Sequence, residues 1–286
     1  MAAPSTAFSV DSEGVRLSGE YAGDGVPVVL LHGLTATRRY VVMGSRSLER
    51  GGHRVIAFDA RGHGRSSPPP EPRAYGYEHL SADLQAVLDG LGVERAVLAG
   101  ASMGAHTAVS LTLRSPERVA ALGLITPSYD PSHARTPESF SAWDALARGL
   151  RGGGVEGFLD AYDLTDLPGQ WRDTVEKVIR QRLAAHEHPR AVADALEAVP
   201  RSSPFQEMGE LRAIAVPTVV VASRDLVDPG HPLAVGESYA RAIPGARMIV
   251  EAPSAPPDRA SSSPAPIAWQ GGQLSRIIAE LAALAH

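Results

Sequence analysis

Gly100-Ala101-Ser102-Met103-Gly104 sets one serine between two glycines. The apolar run Ala96–Ala99 precedes it, and a helical pattern, Met103–Arg114, follows it. A sharp strand-to-helix turn of this kind holds a serine Oγ proud of the carboxyl edge of a sheet, where a nucleophile for acyl transfer must stand. His32-Gly33-Leu34 leaves a second apolar run, Val26–Leu31. A backbone N–H at that point can be aimed at the same place. The amides of Leu34 and Met103 are the expected pair to take up negative charge on an acyl oxygen. Read separately, each motif is also an ordinary strand end; together they point to a nucleophilic serine facing an oxyanion hole.

Such residues need a sheet to present them. Val15–Tyr21 alternates apolar and polar residues, and apolar runs recur at 26–31, 54–59, 96–99, 120–126, 216–222 and 247–251, as strands buried in a parallel sheet would. Helical patterns cover 39–50 (stopped by Gly51-Gly52), 77–91, 103–114, 232–243 and 272–285, with a Gly/Pro-rich loop at 61–74 and a Pro/Ser/Ala-rich one at 252–266. Alternating strands and helices mean βαβ units. The rhythm breaks over 130–213, which reads as helix only. The expected organisation is therefore an α/β core of 1–129 and 214–286 carrying a helical insertion of 130–213, without internal repeats.

Composition narrows the function. The 286 residues are 44% hydrophobic and carry a formal net charge of −5, with no polybasic run, so nucleic acid is not an expected partner. Cysteine is absent, which excludes disulfides, thiolate metal sites and a cysteine nucleophile. No signal-like N-terminus and no apolar stretch of about 18 residues is found, so no membrane span is expected and a cytoplasmic location is. No H-E-x-x-H spacing occurs, His186-Glu187-His188 lacks the helical i, i+4 relation and reads as an exposed helix end, and Gly152-Gly153-Gly154 has no strand before it and no phosphate-loop pattern after it. No metal and no cofactor is expected; the partner is a small-molecule substrate.

The series LLHGLT (30–35), FDARGHGRS (58–66), AGASMG (99–104) and VPTVVVASRD (216–225) resembles the α/β-hydrolase superfamily, and is similar to its capped esterase, lactonase and C–C hydrolase branches. The resemblance runs from about residue 12 to 250. It implies an α/β-hydrolase fold with a mostly parallel central sheet flanked by helices, a Ser–His–acid triad, and a helical lid over the pocket. By this likeness the acid falls on Asp225, just after the strand PTVVVA, with Asp228 second and Asp130 a third choice. Asp59 and His63 match recurrent structural positions instead.

The chain departs from the pattern at the histidine, which the family places in the loop after the last strand. Here that loop reads APSAPPDRASSSPAPIAWQGGQ and contains none. A serine without a base is a poor nucleophile at neutral pH. His231, in DPGHP on the loop after Asp225, is the expected replacement, with an exposed or helix-capping role as its alternative. His106, one helical turn beyond Ser102, reads as packed below the elbow, and His32 as part of the oxyanion loop; neither is the expected base. Trp269-Gln270 either fills the vacated space or packs the last helix. Of the aromatic residues of the insertion, Phe140, Trp143, Phe158, Tyr162 and Trp171, those facing the pocket would favour an apolar substrate, with Trp143, Phe158 and Tyr162 the expected contacts; the rest would form its own core. Arg38-Arg39 reads either as a carboxylate receptor or as a solvated helix start. The expected reaction is hydrolysis of an ester, thioester or lactone. Its rivals are a ligand-binding protein with little turnover and a C–C hydrolase or lyase on the same fold.

Overall fold

A computed structural model describes residues 4–133, 136–165, 167, 169–224, 230–250 and 271–285. Its strands are β1 (Thr6–Ser12), β2 (Val15–Ala22), β3 (Pro27–Leu31), β4 (Arg54–Phe58), β5 (Ala96–Ala101), β6 (Val119–Ile125), β7 (Thr218–Ala222) and β8 (Arg247–Val250). They form one sheet in the order β1-β2-β4-β3-β5-β6-β7-β8. The pairs β1/β2 and β2/β4 are antiparallel and the rest parallel.

The alternation of side chains along each strand divides the core between two layers. Val29, Leu31, Leu98, Leu122, Leu124 and Val220 face helices α2 (Tyr77–Gly90), α3 (Met103–Arg114) and α7 (Leu233–Ala242). Their neighbours Val28, Leu30, Val97, Ala99, Val219 and Val221 face the short α1 (Ser47–Arg50) and α8 (Gly271–Ala282). A strand buried on both faces must be apolar at every position, which is why these runs lack the polar alternation of β2.

Between β6 and β7 lie α4 (Pro137–Ala161), α5 (Gly169–Leu183) and α6 (Pro189–Ala198), and the described residues of this stretch form no strand. They carry a separate apolar cluster that includes Leu150, Phe158, Ile179, Leu183, Val192 and Leu196. Gly154, at φ +62°, folds α4 back on itself. The two arms then meet so closely that a Cβ on Gly149 would lie 2.1 Å from the Gly157 carbonyl oxygen. The Gly152-Gly153-Gly154 run is thus a helix reversal.

One expected helix is broken. Over 39–50 the chain makes a 3-10 turn at Arg38–Tyr40 and then only the four residues of α1. Met43 (φ +48°) and Gly44 (φ +73°) enter the left-handed region between them. The Gly44 amide closes on the Arg39 carbonyl at 3.0 Å, so the apolar period of the sequence is carried by two turns rather than one rod.

The strand order reverses direction at β3: β4 lies on one side of it and β5 on the other. This is the point where open α/β sheets leave a crevice at their carboxyl edge. The residues that leave β3 and β5 there are His32-Gly33-Leu34 and Ser102.

Candidate active site

Ser102 stands at the junction of β5 and α3 with φ +50° and ψ −114°, a conformation that costs a non-glycine residue free energy and persists only where its surroundings impose it. Those surroundings are visible. The Ser102 amide donates to the Ile125 carbonyl at 3.0 Å, and the His106 amide donates to the Ser102 carbonyl at 3.1 Å. A Cβ on Gly100 would lie 2.2 Å from the Gly104 oxygen, and one on Gly104 would lie 2.1 Å from the Leu31 oxygen. Both glycines are therefore required by the close approach of strand and helix.

Ser102 opens on a cavity of about 320 Å³. Leu34 and Met103, the expected oxyanion pair, both line it. Met103 is the first residue of α3, where a backbone N–H has no partner within the helix. The loop that leaves β3 runs beside the elbow: a Cβ on Gly33 would sit 3.4 Å from both Ala101 O and Ser102 Cβ. The loop is tied by His32, whose Nε2 accepts the Ala60 amide at 2.9 Å while Nδ1 bonds the Gly33 carbonyl at 2.9 Å. Burial pushes the His32 pKa down to about 3, so the ring is neutral. Asp59 fastens the next stretch, accepting the amides of Arg38 (2.9 Å) and Arg65 (3.1 Å) and pairing with the Arg38 guanidinium. Arg38 is thereby committed to the fold, not held ready for a substrate carboxylate.

Apolar walls come from both parts of the chain: Val235 from α7, Phe140 and Trp143 from α4, and Val199 and Pro200 after α6. Of the three aromatic contacts expected, Trp143 is placed at the cavity. Phe158 and Tyr162 are not; they stack on each other at 5.9 Å inside the α4–α6 cluster. The reversal at Gly154 sends their stretch of α4 toward its own partners. Periodicity does not reveal this, because a helix that folds back on itself buries the same residues as one that lies over a pocket.

The expected acids and bases fall as follows. Asp225 and Asp228 lie outside the described residues, as do Trp269 and Gln270. Gly230 and Pro232 line the cavity on either side of His231, which is half-buried. His106, although it borders the cavity, is occupied: its Nε2 accepts the amides of Ser128 and Tyr129 at 3.0 and 3.1 Å, and its Nδ1 faces the Tyr77 hydroxyl at 3.0 Å. Burial, followed by the charge of His231, lowers its pKa to about 3. Tyr77, Ser202 and His133, which sequence reasoning did not place at the site, also line the cavity. His133 Nδ1 stands 3.3 Å from Asp130 Oδ2. Burial alone would raise the Asp130 pKa, but hydrogen bonds from Ser132 and the nearby His133 hold it below the usual carboxylate value. Tyr77 sits at a helix start and His133 in a turn, and neither position has a pattern that points to a pocket.

His63 is fully enclosed between the rings of His32 and His186, at 5.3 and 5.5 Å. Its Nδ1 bonds the Arg61 carbonyl at 2.9 Å. Arg61, also buried, forks onto Asp83 with two contacts of 2.7 Å. Both residues hold the 60–76 loop in place, as the structural reading of His63 expected. No group of three or more candidate metal ligands occurs among the described residues.

A serine raised on a strained strand–helix turn, at the crevice of a mostly parallel sheet and beside the loop that leaves β3, defines the class. The chain belongs to the α/β hydrolase fold family, whose model matches residues 26–256. Among solved structures it is similar to an enol-lactonase from Burkholderia xenovorans, with a TM-score of 0.69 and 25% identity over 85% of this chain and 90% of that one. It is equally similar to a thermophilic esterase from Thermogutta terrifontis, with a TM-score of 0.69 and 26% identity over 86% and 89%. Among curated relatives, a Pseudomonas savastanoi protein named provisionally as the carbamate hydrolase RutD is 26% identical over 78% of this chain and 83% of its own. Epoxide hydrolase A of Mycobacterium tuberculosis is 40% identical, but over 44% of this chain and 39% of that enzyme. No described helix is long and apolar enough to cross a membrane.

Proposed function

We propose that the protein is a serine hydrolase that cleaves a small or medium apolar ester, thioester or lactone through an acyl-enzyme at Ser102. The observation that carries this reading is the strained Ser102 backbone at a cavity shared with Leu34 and Met103. A strained non-glycine residue held between two glycines that the close backbones require supports a side chain kept in place for a task. The volume and the apolar walls suit a compact substrate.

In the proposed reaction the Ser102 oxygen attacks the acyl carbon and its proton passes to a base. The carbonyl oxygen becomes an oxyanion facing the Leu34 and Met103 amides. The leaving alkoxide or thiolate departs with that proton, and water then releases the acid by the same steps in reverse order. His231 is the proposed base and Asp225 the carboxylate that orients it. The lactonase and esterase among the similar structures favour acyl chemistry of this kind. The helical stretch between β6 and β7 is proposed to act as the cap.

A fluorophosphonate probe tests the reading. The expected result is stoichiometric labelling that Ser102→Ala abolishes. An inert wild-type enzyme, or labelling that survives the substitution, overturns it in favour of a ligand-binding protein with little turnover.

A further inference from the structure

The loop that carries the Leu34 amide is held from outside the α/β core. Arg182, in the last turn of α5, donates through Nη2 to the Leu34 carbonyl and to Thr35 Oγ1, both at 2.9 Å. His186, just beyond α5, bonds the Thr35 carbonyl through Nε2 at 3.0 Å. Its Nδ1 accepts the Gly64 amide at 2.8 Å, and the Glu187 amide returns a bond to the Gly64 carbonyl at 2.9 Å. The tautomer follows from these partners. Gly64 offers a proton, so Nδ1 is bare; the Thr35 carbonyl can only accept, so Nε2 carries the hydrogen. A single neutral imidazole thus ties the oxyanion loop to the 60–76 loop.

The loop needs such ties. Thr35 has φ +66°, a poor conformation for a β-branched residue, and within the loop the Ala36 amide closes on the Gly33 carbonyl at 3.1 Å. The two carbonyls that Arg182 and His186 grip, those of Leu34 and Thr35, flank the left-handed residue itself. Releasing those grips would let the strained turn at Thr35 relax, and the Leu34 N–H would turn with it.

We propose that Arg182 and His186 are positioning residues for the oxyanion hole, so that the α4–α6 segment must be seated on the core before the Leu34 amide is correctly aimed. Seating would then gate the chemistry. A substrate that draws α5 onto the core completes the site that stabilises its own transition state, and a lifted segment leaves Ser102 facing a disordered donor. This inference rests on the hydrolase reading for its catalytic consequence, but not for the brace itself.

The test uses Arg182→Ala, His186→Leu and His186→Gln in the full-length chain, with a short-chain p-nitrophenyl ester as substrate. Glutamine can accept from Gly64 and donate to Thr35, whereas leucine can do neither. Arg182→Ala and His186→Leu should each lower kcat about ten- to hundredfold with KM within about threefold, since a misaimed donor is felt in the transition state. His186→Gln should recover most of the loss. Amide exchange of the peptide covering 33–36 should quicken in the same order as kcat falls. Unchanged kcat and exchange in Arg182→Ala overturns the proposal, as does a glutamine variant no better than leucine. If His186→Leu does not fold, Arg182→Ala and His186→Gln decide alone. If the wild type is inert to both ester and fluorophosphonate, the hydrolase reading fails, while the exchange measurement still decides the brace.

Discussion

The imidazole of His106, one helical turn beyond Ser102, turns its Nε2 away from the serine's chemistry and accepts the Ser128 amide at 3.0 Å. The Tyr129 amide shares the same nitrogen at 3.1 Å. His106 therefore joins α3 to the chain that leaves β6. Replacing it with leucine strands two backbone donors, each worth about 1–3 kcal/mol when buried without a partner. His106→Leu is expected to lower the unfolding free energy by about 2–4 kcal/mol in urea titration. The variant should keep the shape of the wild-type pH–rate profile, and loss of the profile's basic group on this substitution would make His106 the base after all.

His231 is expected to behave in the opposite way. It is half-buried, and the residues on either side of it border the cavity of Ser102, so its removal leaves no large void. His231→Ala should leave the thermal midpoint within about 2 °C while reducing kcat/KM by about 10²–10⁴, the usual worth of a general base. Ester turnover and probe labelling at wild-type rates in this variant would remove His231 from the mechanism. His133→Ala is the matched comparison, because His133 also borders the cavity and is paired with Asp130. A large loss there, and none at His231, would transfer the role.

The strands, the parallel order and the elbow were legible because each is written in local pattern: runs apolar at every position, and glycines where backbones touch. What was not legible is direction. The sequence placed Phe158 and Tyr162 on a helix between β6 and β7, but not that Gly154 would fold that helix inward and leave Phe140 and Trp143 at the cavity. Nor did it place Arg182, and His186, expected at an exposed helix end, is buried instead; their partners at Leu34 and Thr35 lie about 150 residues away in the chain. Contacts between distant loops leave no period in the sequence. The same limit applies to Tyr77, which reaches the pocket only because α2 begins beside α3.

Acid should destabilise the fold earlier than carboxylate titration alone would. His32 and His106 are buried and neutral, with pKa values held near 3 first by desolvation, and His63 and His186 are also lowered by burial. In the unfolded chain all four bind protons near pH 6.5. Between that value and the native pKa the unfolded state holds more protons, so stability is complete above about pH 6.5 and falls as pH decreases. At pH 5 each of His32 and His106 accounts for a loss on the order of 2 kcal/mol. The midpoint of urea unfolding should be flat from pH 8 to 7 and drop by pH 5, above the range where Asp130 and Glu13 protonate. A flat profile down to pH 5 would mean that these rings accept protons in the native state.

Two glycines beside the nucleophile, Gly104 and Gly33, should differ sharply on substitution by alanine. At Gly104 the added Cβ would lie 2.1 Å from the Leu31 oxygen, a backbone atom of β3 that has no free rotation to yield. At Gly33 the nearest atoms, Ala101 O and Ser102 Cβ, are 3.4 Å away, ordinary contact. Gly33 does not have a left-handed backbone, so alanine meets no torsional penalty there. Gly104→Ala must push α3 off the sheet, at a cost of about 3 kcal/mol or more, and with it move the Met103 amide and Ser102. It should fold poorly and lose probe labelling, whereas Gly33→Ala should fold with stability within about 1 kcal/mol of wild type and keep labelling. Comparable behaviour of the two variants would show that the junction of β5 and α3 is looser than the distances across it allow, and the strained serine would then lose its structural cause.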